Sequence, residues 1–577
     1  MELIRRFGGY LRKYRGYAVA AVVCVMAEMV LELIIPLIMA DLVDIGVATG
    51  DTAFIFRQGL WMCLCAVAAM VLGVGSARLA ALCGNGLAAE IRKAEYAKVQ
   101  SFSFANRDRF RTESLVTRLT GDVTTLQNAV VTGLRPGVRG PAMMVMSIFM
   151  GFLINPKLAI IFLVAAPVLA VLLWQIVTHV RPLYTVMQGA VDQVNRVVQE
   201  NLTAVRIVKA YVRGDYENEK FDRVNSQLSQ VSTRSFATAV LNMPAMQFVM
   251  YGTILCILWI GGGMIQTGEL QVGKLTGFLS YVLQVLNSLM MISNVFLQLT
   301  RAGASAERIA EVLDEPLDLT DENAKDVSVE HSSVRFDHVS FQYRAGAENF
   351  VLSDINLDIK AGETVGIIGG TGSSKSTLVQ LIPRLYEATA GTVYVDGRPV
   401  QEYPLAHLRD AIAMVLQKNT LFSGTVKDNL RWGKADATDQ EIAEACRIAC
   451  VDEFVDRLDN GYDTDLGQGG VNVSGGQKQR LCIARAILKK PKVLILDDST
   501  SAVDMVTEAK IRDGLAKCLP DTTKIIIAQR ISSVLHADKI VVLSDGRIDA
   551  IGDHWTLMET SGIYRDVYQS QQEGAGL

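Results

Sequence analysis

Residues 369–377 read Gly369-Gly370-Thr371-Gly372-Ser373-Ser374-Lys375-Ser376-Thr377, a combination suited to a phosphorylated ligand. Consecutive backbone N–H groups of such a loop point at an anion, a lysine neutralises its charge, and a hydroxyl reaches a hard cation such as Mg2+. The loop follows the apolar run Val365-Gly-Ile-Ile and precedes Leu378-Val-Gln-Leu-Ile. A strand feeding a helix is the context such a loop needs, because the helix N-terminus adds positive potential. Residues 493–498, Val-Leu-Ile-Leu-Asp-Asp, form a second apolar strand that ends on the carboxylates Asp497 and Asp498. A third stretch, 473–480, reads Val-Ser-Gly-Gly-Gln-Lys-Gln-Arg.

In chain order these stretches closely resemble the Walker A loop, the signature motif and the Walker B strand of the ATP-binding cassette (ABC) family. The resemblance implies ATP as ligand and Mg2+ as its metal. Lys375 would neutralise the β- and γ-phosphates, Ser376 would hold Mg2+, and Asp497 would hold it through water. Gln417, in Val415-Leu-Gln-Lys, matches the Q-loop residue that links the metal to the coupling helices. Tyr343, in Phe341-Gln-Tyr, sits where the family stacks an aromatic on adenine, and Ser501-Ala-Val-Asp504 matches the D-loop at the dimer interface. Ser474, Gly475, Gly476 and Gln477 would meet the γ-phosphate of an ATP held by a second subunit. The resemblance spans essentially the whole chain.

Three positions depart from the family pattern. Ser374 stands where a glycine usually precedes the lysine; a Cβ there limits backbone freedom, yet the N–H donor remains, so binding is expected to survive. Asp498 stands where a glutamate usually polarises the attacking water, and a reach one methylene shorter can misplace that water by about 1 Å, worth about 10²-fold in rate. Gln529, in Ile525-Ile-Ile-Ala-Gln-Arg, replaces a histidine that would contact the γ-phosphate, and an amide cannot carry charge. Asp498 and Gln529 together read as a degenerate catalytic site.

The elements that must position this site occupy only half of the chain. At 577 residues the chain exceeds one ordinary domain, and half of its residues are hydrophobic while 20% are charged. A net charge of −4 argues against a nucleic-acid partner, which would favour a basic face. None of the nine cysteines forms a Cys-x-x-Cys pair, so buried thiols explain them better than a disulfide frame or a zinc site. The apolar runs predict six membrane spans, about 16–40, 59–83, 137–155, 158–180, 240–264 and 275–300. The first, preceded by Arg5, Arg6, Arg12, Lys13 and Arg15, is too long for a secretory leader.

Basic residues crowd the segments after the second and fourth spans, including Arg92, Lys93, Arg107, Arg109, Lys209 and Arg213. The positive-inside rule therefore places the N-terminus, both long segments and everything after the sixth span in the cytoplasm of a multi-pass cell-membrane protein. Residues 84–120 and 185–235 lack proline and read as helical arms. By resemblance, the turns near Asn106–Ser114 and Tyr211–Asn218 would be the coupling helices that dock on cassettes. The expected fold is thus a six-span helical transmembrane domain (1–305), an acidic linker (306–332) and an α/β P-loop cassette (333–570).

Glu28 and Glu32 fall inside the first span, about 18 and 24 Å from its inner end, and share a helix face at i and i+4. Two readings stay open: a cavity wall that favours cationic substrates, or a structural pair bonded to neighbouring helices. Met143, Met144, Met146, Met243, Met246, Met250, Met290 and Met291 suit an adaptable cavity, although apolar lining is the commoner use. The resemblance implies one half of an ABC exporter that moves a small amphipathic or cationic molecule and works with a second half-transporter carrying the competent site. A homodimeric lipid or peptide exporter and a nucleotide-regulated membrane sensor or channel are the alternatives.

Overall fold

A computed structural model describes the backbone of residues 2–322, 324–344, 346 and 349–574. The side chains of 2–6, 162, 163, 166, 170, 173, 176, 177, 181, 242, 243, 246, 573 and 574 lie outside this description, Arg5, Arg6, Met243 and Met246 among them. The chain divides into two compact units, Met1–Gln100 with Thr112–Asp314 and Ser101–Arg111 with Glu315–Leu577.

The first unit is helical: α1 (Glu2–Leu11), α2 (Arg15–Asp41), α3 (Thr52–Gln100), then, past the α4 segment of the second unit, α5 (Thr112–Thr117), α6 (Val123–Leu134), α7 (Pro136–Ile154), α8 (Pro156–Ala210), α9 (Gly214–Val240), α10 (Asn242–Gln266) and α11 (Val272–Asp314). Asn155 starts α8: its Oδ1 accepts from the Lys157 and Leu158 N–H groups, and Pro156 at the first helical position loses no hydrogen bond. Pro36 sits inside α2, and nearby the Tyr281 hydroxyl of α11 donates to the Leu33 carbonyl at 2.5 Å. A neighbouring helix thus bonds the backbone next to Glu32, the residue whose carbonyl loses its helical partner at Pro36. The core of this unit gathers Met29, Leu33, Ile257, Phe278, Tyr281 and Val285.

Among the described residues, five stretches are long and apolar enough to cross a membrane: Phe7–Val47, Thr52–Gln100, Thr112–Ile154, Gln247–Gln266 and Val272–Asp314. The remaining expected span, 158–180, lies in α8, which contains several of the side chains left out of the description. From the apolar start of α8 the helix runs on for 55 residues, about 80 Å, and α9 returns beside it. The sixth span likewise does not stop at 300: α11 continues to Asp314 because Ala302, Ala306, Ile309 and Ala310 bury one face of it. Arg308 of this extension donates from Nε to Asp122 Oδ2 at 2.8 Å.

The second unit contains α4 (Phe104–Arg109) and a cassette with two sheets. Strands β1 (Val334–Phe341), β2 (Leu352–Ile359), β4 (Ala390–Val395) and β5 (Arg398–Pro399) form an antiparallel sheet in the order β2-β1-β4-β5. Strands β3 (Thr364–Gly369), β6 (Ile412–Val415), β7 (Val493–Asp497), β8 (Thr523–Ile527), β9 (Lys539–Ser544) and β10 (Arg547–Gly552) form the other, ordered β10-β9-β3-β8-β7-β6. Its β9-β3-β8-β7-β6 portion is parallel, and β7 is buried along its whole length, as a strand covered on both faces must be. The helices are α12 (Lys375–Gln380), α13 (Leu405–Ala411), α14 (Val426–Arg431), α15 (Asp439–Ile448), α16 (Asp452–Val455), α17 (Gly475–Leu488), α18 (Met505–Cys518), α19 (His554–Thr560) and α20 (Gly562–Gly574).

Candidate functional site

Parallel strands bring their C-terminal ends to one edge, and that edge is where open α/β sheets bind ligands. Here β3 delivers the 369–377 loop, β7 delivers Asp497 and Asp498, β8 leads to Gln529, and β6 leads to Gln417. Because β8 lies between β3 and β7, Gln529 emerges between the loop and the two carboxylates.

The loop turns tightly enough that side chains are excluded at defined points. A Cβ on Gly369 would stand 2.2 Å from the Leu543 carbonyl oxygen, and Gly372 has φ +85°. Ser374 also sits in the left-handed region, at φ 69°. Lys375 folds back on the loop: its ammonium donates to the carbonyls of Gly369 and Gly370, both at 2.8 Å, and to Ser373 Oγ at 3.2 Å. Burial pushes its pKa below the usual lysine range, with Asp497 and Asp498 opposing that effect.

Ser376 Oγ donates to Asp497 Oδ1 at 2.9 Å, so a hydroxyl and a buried carboxylate from separate elements already share one point. Burial raises the Asp497 pKa, the Ser376 bond opposes it, and the neighbouring Asp498 charge adds to it. Two hard oxygens in this arrangement fit Mg2+. Gln417 is exposed and takes no part in the Ser376–Asp497 bond; its carbonyl accepts from Asn419 Nδ2 at 3.3 Å. Tyr343 is half exposed, its hydroxyl 2.9 Å from Thr377 Oγ1.

Gln529 Nε2 donates to Asp498 Oδ2 at 2.7 Å. Both residues are held from behind. Asp498, at φ 48°, donates its N–H to the Ile527 carbonyl, and Gln571 of α20 bridges the Gln529 carbonyl and the Ile531 N–H at 2.8 and 2.9 Å. An amide donor therefore occupies one oxygen of the carboxylate that stands where a longer one is usual.

The 473–480 stretch caps α17. Ser474 Oγ accepts from the Gln477 N–H, and the Gln477 side chain accepts from the Ser474 N–H at 2.8 Å, a reciprocal capping box. A Cβ on Gly476 would lie 2.6 Å from the Ala502 carbonyl oxygen, so only glycine fits beneath the 501–504 turn. Gln479 fixes that turn from the same helix, accepting from the Ala502 N–H at 2.9 Å and donating to Ser501 Oγ at 3.2 Å.

Residues 18–289 match the family of ABC transporter transmembrane regions, and residues 352–501 match the ABC transporter family itself. The chain is 38% identical to an uncharacterized ABC transporter ATP-binding protein, YfiB, of Bacillus subtilis, over 97% of both chains. The chain belongs to the ABC transporter family. It is also 31% identical to a putative multidrug export ATP-binding/permease protein, YgaD, of Bacillus subtilis, over 99% of this chain and 100% of that one. An ATP-dependent lipid A-core flippase of Desulfotalea psychrophila is 33% identical over 82% of both chains. A solved bacterial Atm1-family ABC exporter with ATP bound shares the fold, with a TM-score of 0.81 at 24% identity, over 97% of this chain and 98% of that one. One transmembrane region followed by one cassette is the half-transporter architecture of the exporters, and the transporter is coupled to an ATPase domain.

In the transporter's membrane unit the two candidate carboxylates are already paired. Arg139 of α7 donates from Nη1 to Glu28 Oε1 at 2.9 Å and from Nη2 to Glu32 Oε1 at 2.8 Å, and Arg135 Nη2 lies 3.9 Å from Glu28. Of the two readings of Glu28 and Glu32, the bonded pair has direct support: the guanidinium of a neighbouring helix supplies their counter-charge. Glu32 and Arg139 line a cavity of 390 Å3 together with Met143, Gln284, Asn287 and Met291, whereas Met144, Met146, Met250 and Met290 pack against the apolar core. Arg139 is not among the residues the sequence motifs single out, although a cation three residues into an apolar span is itself a signal.

The two expected coupling turns also differ. Residues 101–111 belong to the cassette unit, where Asn106 Nδ2 donates to the Pro316 carbonyl at 2.8 Å and Arg109 pairs with Glu315. The Tyr211–Asn218 turn belongs to the membrane unit and is exposed, Val212 at 89%.

Proposed function

We propose that this chain is one half of a dimeric, ATP-driven exporter of the cell membrane whose own ATP site binds nucleotide far better than it cleaves it. The hydrogen bond from Gln529 to Asp498 carries this reading. A water-polarising carboxylate must offer a free oxygen and pass the proton on, and here a short side chain has one of its two oxygens taken by an amide that cannot accept a proton.

ATP would be held by the 369–377 loop, with Lys375 leaving the Gly369 and Gly370 carbonyls for the phosphates and the adenine lying on Tyr343. Ser376 and Asp497 would hold Mg2+, with Gln417 as a further expected ligand; the bound ion neutralises charge on the phosphates. The 473–480 stretch caps α17, and Gly476 packs against Ala502. This supports its use by a second half-transporter whose Walker A loop faces it in the dimer. Closing such a dimer on ATP would drive the membrane helices, and hydrolysis at the partner's site would reset them.

The basic arms support a cytoplasmic N-terminus and cassette. The relatives named for multidrug export and for lipid A-core flipping support a small amphipathic molecule or a lipid as cargo. The pairing of Glu28 and Glu32 with Arg139 weakens the argument for cations in particular. Dye efflux from cells producing the transporter tests the division of labour: Asp498→Asn should keep most of the efflux and Ser474→Ala should abolish it. Efflux lost in Asp498→Asn and kept in Ser474→Ala would overturn it.

A further inference from the structure

Around Tyr386 the nucleotide side of the cassette meets the 101–111 segment through a continuous run of aromatic rings. Tyr386 is 8% exposed, and its hydroxyl donates to Asp108 Oδ2 at 2.7 Å. Its ring meets Phe104 edge-on at 5.8 Å, and it meets Tyr343 edge-on at 5.3 Å. Phe341 completes the cluster, 5.6 Å from Tyr386 and 4.9 Å from Tyr343. Edge-to-face rings at these separations are held by quadrupole attraction as well as burial, so one ring does not tilt freely without its neighbours.

Tyr343 is engaged on two sides. Its hydroxyl is shared with Thr377, at the end of the phosphate loop, and its half-exposed ring is the surface offered to a base. A nucleotide that takes the Thr377 hydroxyl for a phosphate and lays its base on Tyr343 changes both restraints on that ring at once. The next ring is Tyr386, and the group beyond it is Asp108. Burial and then the Asp108 carboxylate keep the Tyr386 phenol protonated across the physiological range, so it remains a donor. Asn106 and Ser103 fix α4 on the same surface: Asn106 N–H donates to Ser103 Oγ at 3.0 Å, and the Asn106 side chain reaches Pro316. Residues 101–111 directly follow the long helix α3 in the chain.

We propose that Tyr386 is a positioning residue that reports base occupancy at Tyr343 to Asp108 and the 101–111 segment, through its ring on one side and its hydroxyl on the other. The inference rests on the 369–377 loop binding ATP and is independent of whether Asp498 cleaves it.

The test uses full-length transporter in lipid nanodiscs with Mg–ATP as probe. Hydrogen exchange of the 101–111 amides is followed by mass spectrometry, and ATP affinity is measured on the same samples. In the wild type, ATP should slow exchange in this segment. Tyr386→Phe keeps the ring and removes the donor. It should reduce that ATP-dependent protection about tenfold, the effect of losing one hydrogen bond to a charged acceptor, while ATP affinity stays within about twofold. Asp108→Ala should have the same effect, and the double variant should lose no more than either single one. The proposal is overturned if ATP leaves exchange at 101–111 unchanged in the wild type, or if Tyr386→Phe retains full protection. A fall in ATP affinity that tracks the loss of protection would also overturn it, since Tyr386 would then belong to the binding site itself.

Discussion

Ser374 holds a left-handed backbone at φ 69°, where a Cβ costs about 1–2 kcal/mol. Glycine would relieve that cost while adding only about 0.4–1 kcal/mol of chain entropy to the unfolded state. Ser374→Gly should therefore stabilise the transporter by about 0.5–1 kcal/mol, read as a higher Tm, whereas Ser374→Ala, which keeps the Cβ, should not. Asp497 is a second position with a definite sign. Burial raises its pKa in the nucleotide-free protein, so its ionised form is the costly one. The stability it contributes is present below the ordinary aspartate range and is lost as pH rises through the raised value. Asp497→Asn should accordingly raise Tm at pH 7 without nucleotide, yet erase the further rise that Mg–ATP gives the wild type. A lower Tm in the ligand-free variant would contradict this account. At the Asp498–Gln529 pair, Asp498→Glu with Gln529→His should raise ATP turnover at least about tenfold, measured by phosphate release.

Helix α17 and the 501–504 turn act as one piece, because Gly476 leaves room for the Ala502 carbonyl and Gln479 ties the turn down. Gly476→Ala places a Cβ 2.6 Å from that oxygen, and backbone must move. Turnover of the assembled transporter should fall at least about tenfold while ATP affinity at the 369–377 loop is retained; equal loss of both would argue that the variant merely unfolds. In the membrane unit, Arg139→Met leaves Glu28, whose side chain is only 7% exposed, without its main partner. Removing one member of a buried ion pair costs about 3–5 kcal/mol, so the variant should lose Tm sharply, and adding Glu28→Gln with Glu32→Gln should restore most of it. Much of this architecture was readable in advance. A strand feeding a glycine-rich loop, a strand ending in two carboxylates and five of the apolar helices follow from local pattern, which is what periodicity and turn chemistry record. The Arg139 pairing was not readable, since Glu28 and Arg139 are 111 positions apart and meet only through the register of two packed helices. Nor was the reach of α11 to Asp314, where a polar sequence hides a buried alanine face. Gln529 was identified by type, but its bond to Asp498 depends on β8 lying beside β7.

Taken as a whole, the transporter carries a 369–377 loop proposed to hold ATP, a capped helix α17 packed on the 501–504 turn, and a proposed catalytic pair, Asp498 and Gln529, bonded to itself. That asymmetry suits the proposed dimer, in which this chain would hold one ATP as a strut and lend its signature to a competent site on a second half-transporter. The most direct measurement is the identity of the nucleotide that the purified full-length chain holds after incubation with Mg–ATP and acid quenching. The account predicts bound ATP that stays uncleaved over minutes and is absent in Lys375→Ala. Steady conversion to ADP by the chain alone, at several turnovers per second and stopped by Asp498→Asn, would contradict it.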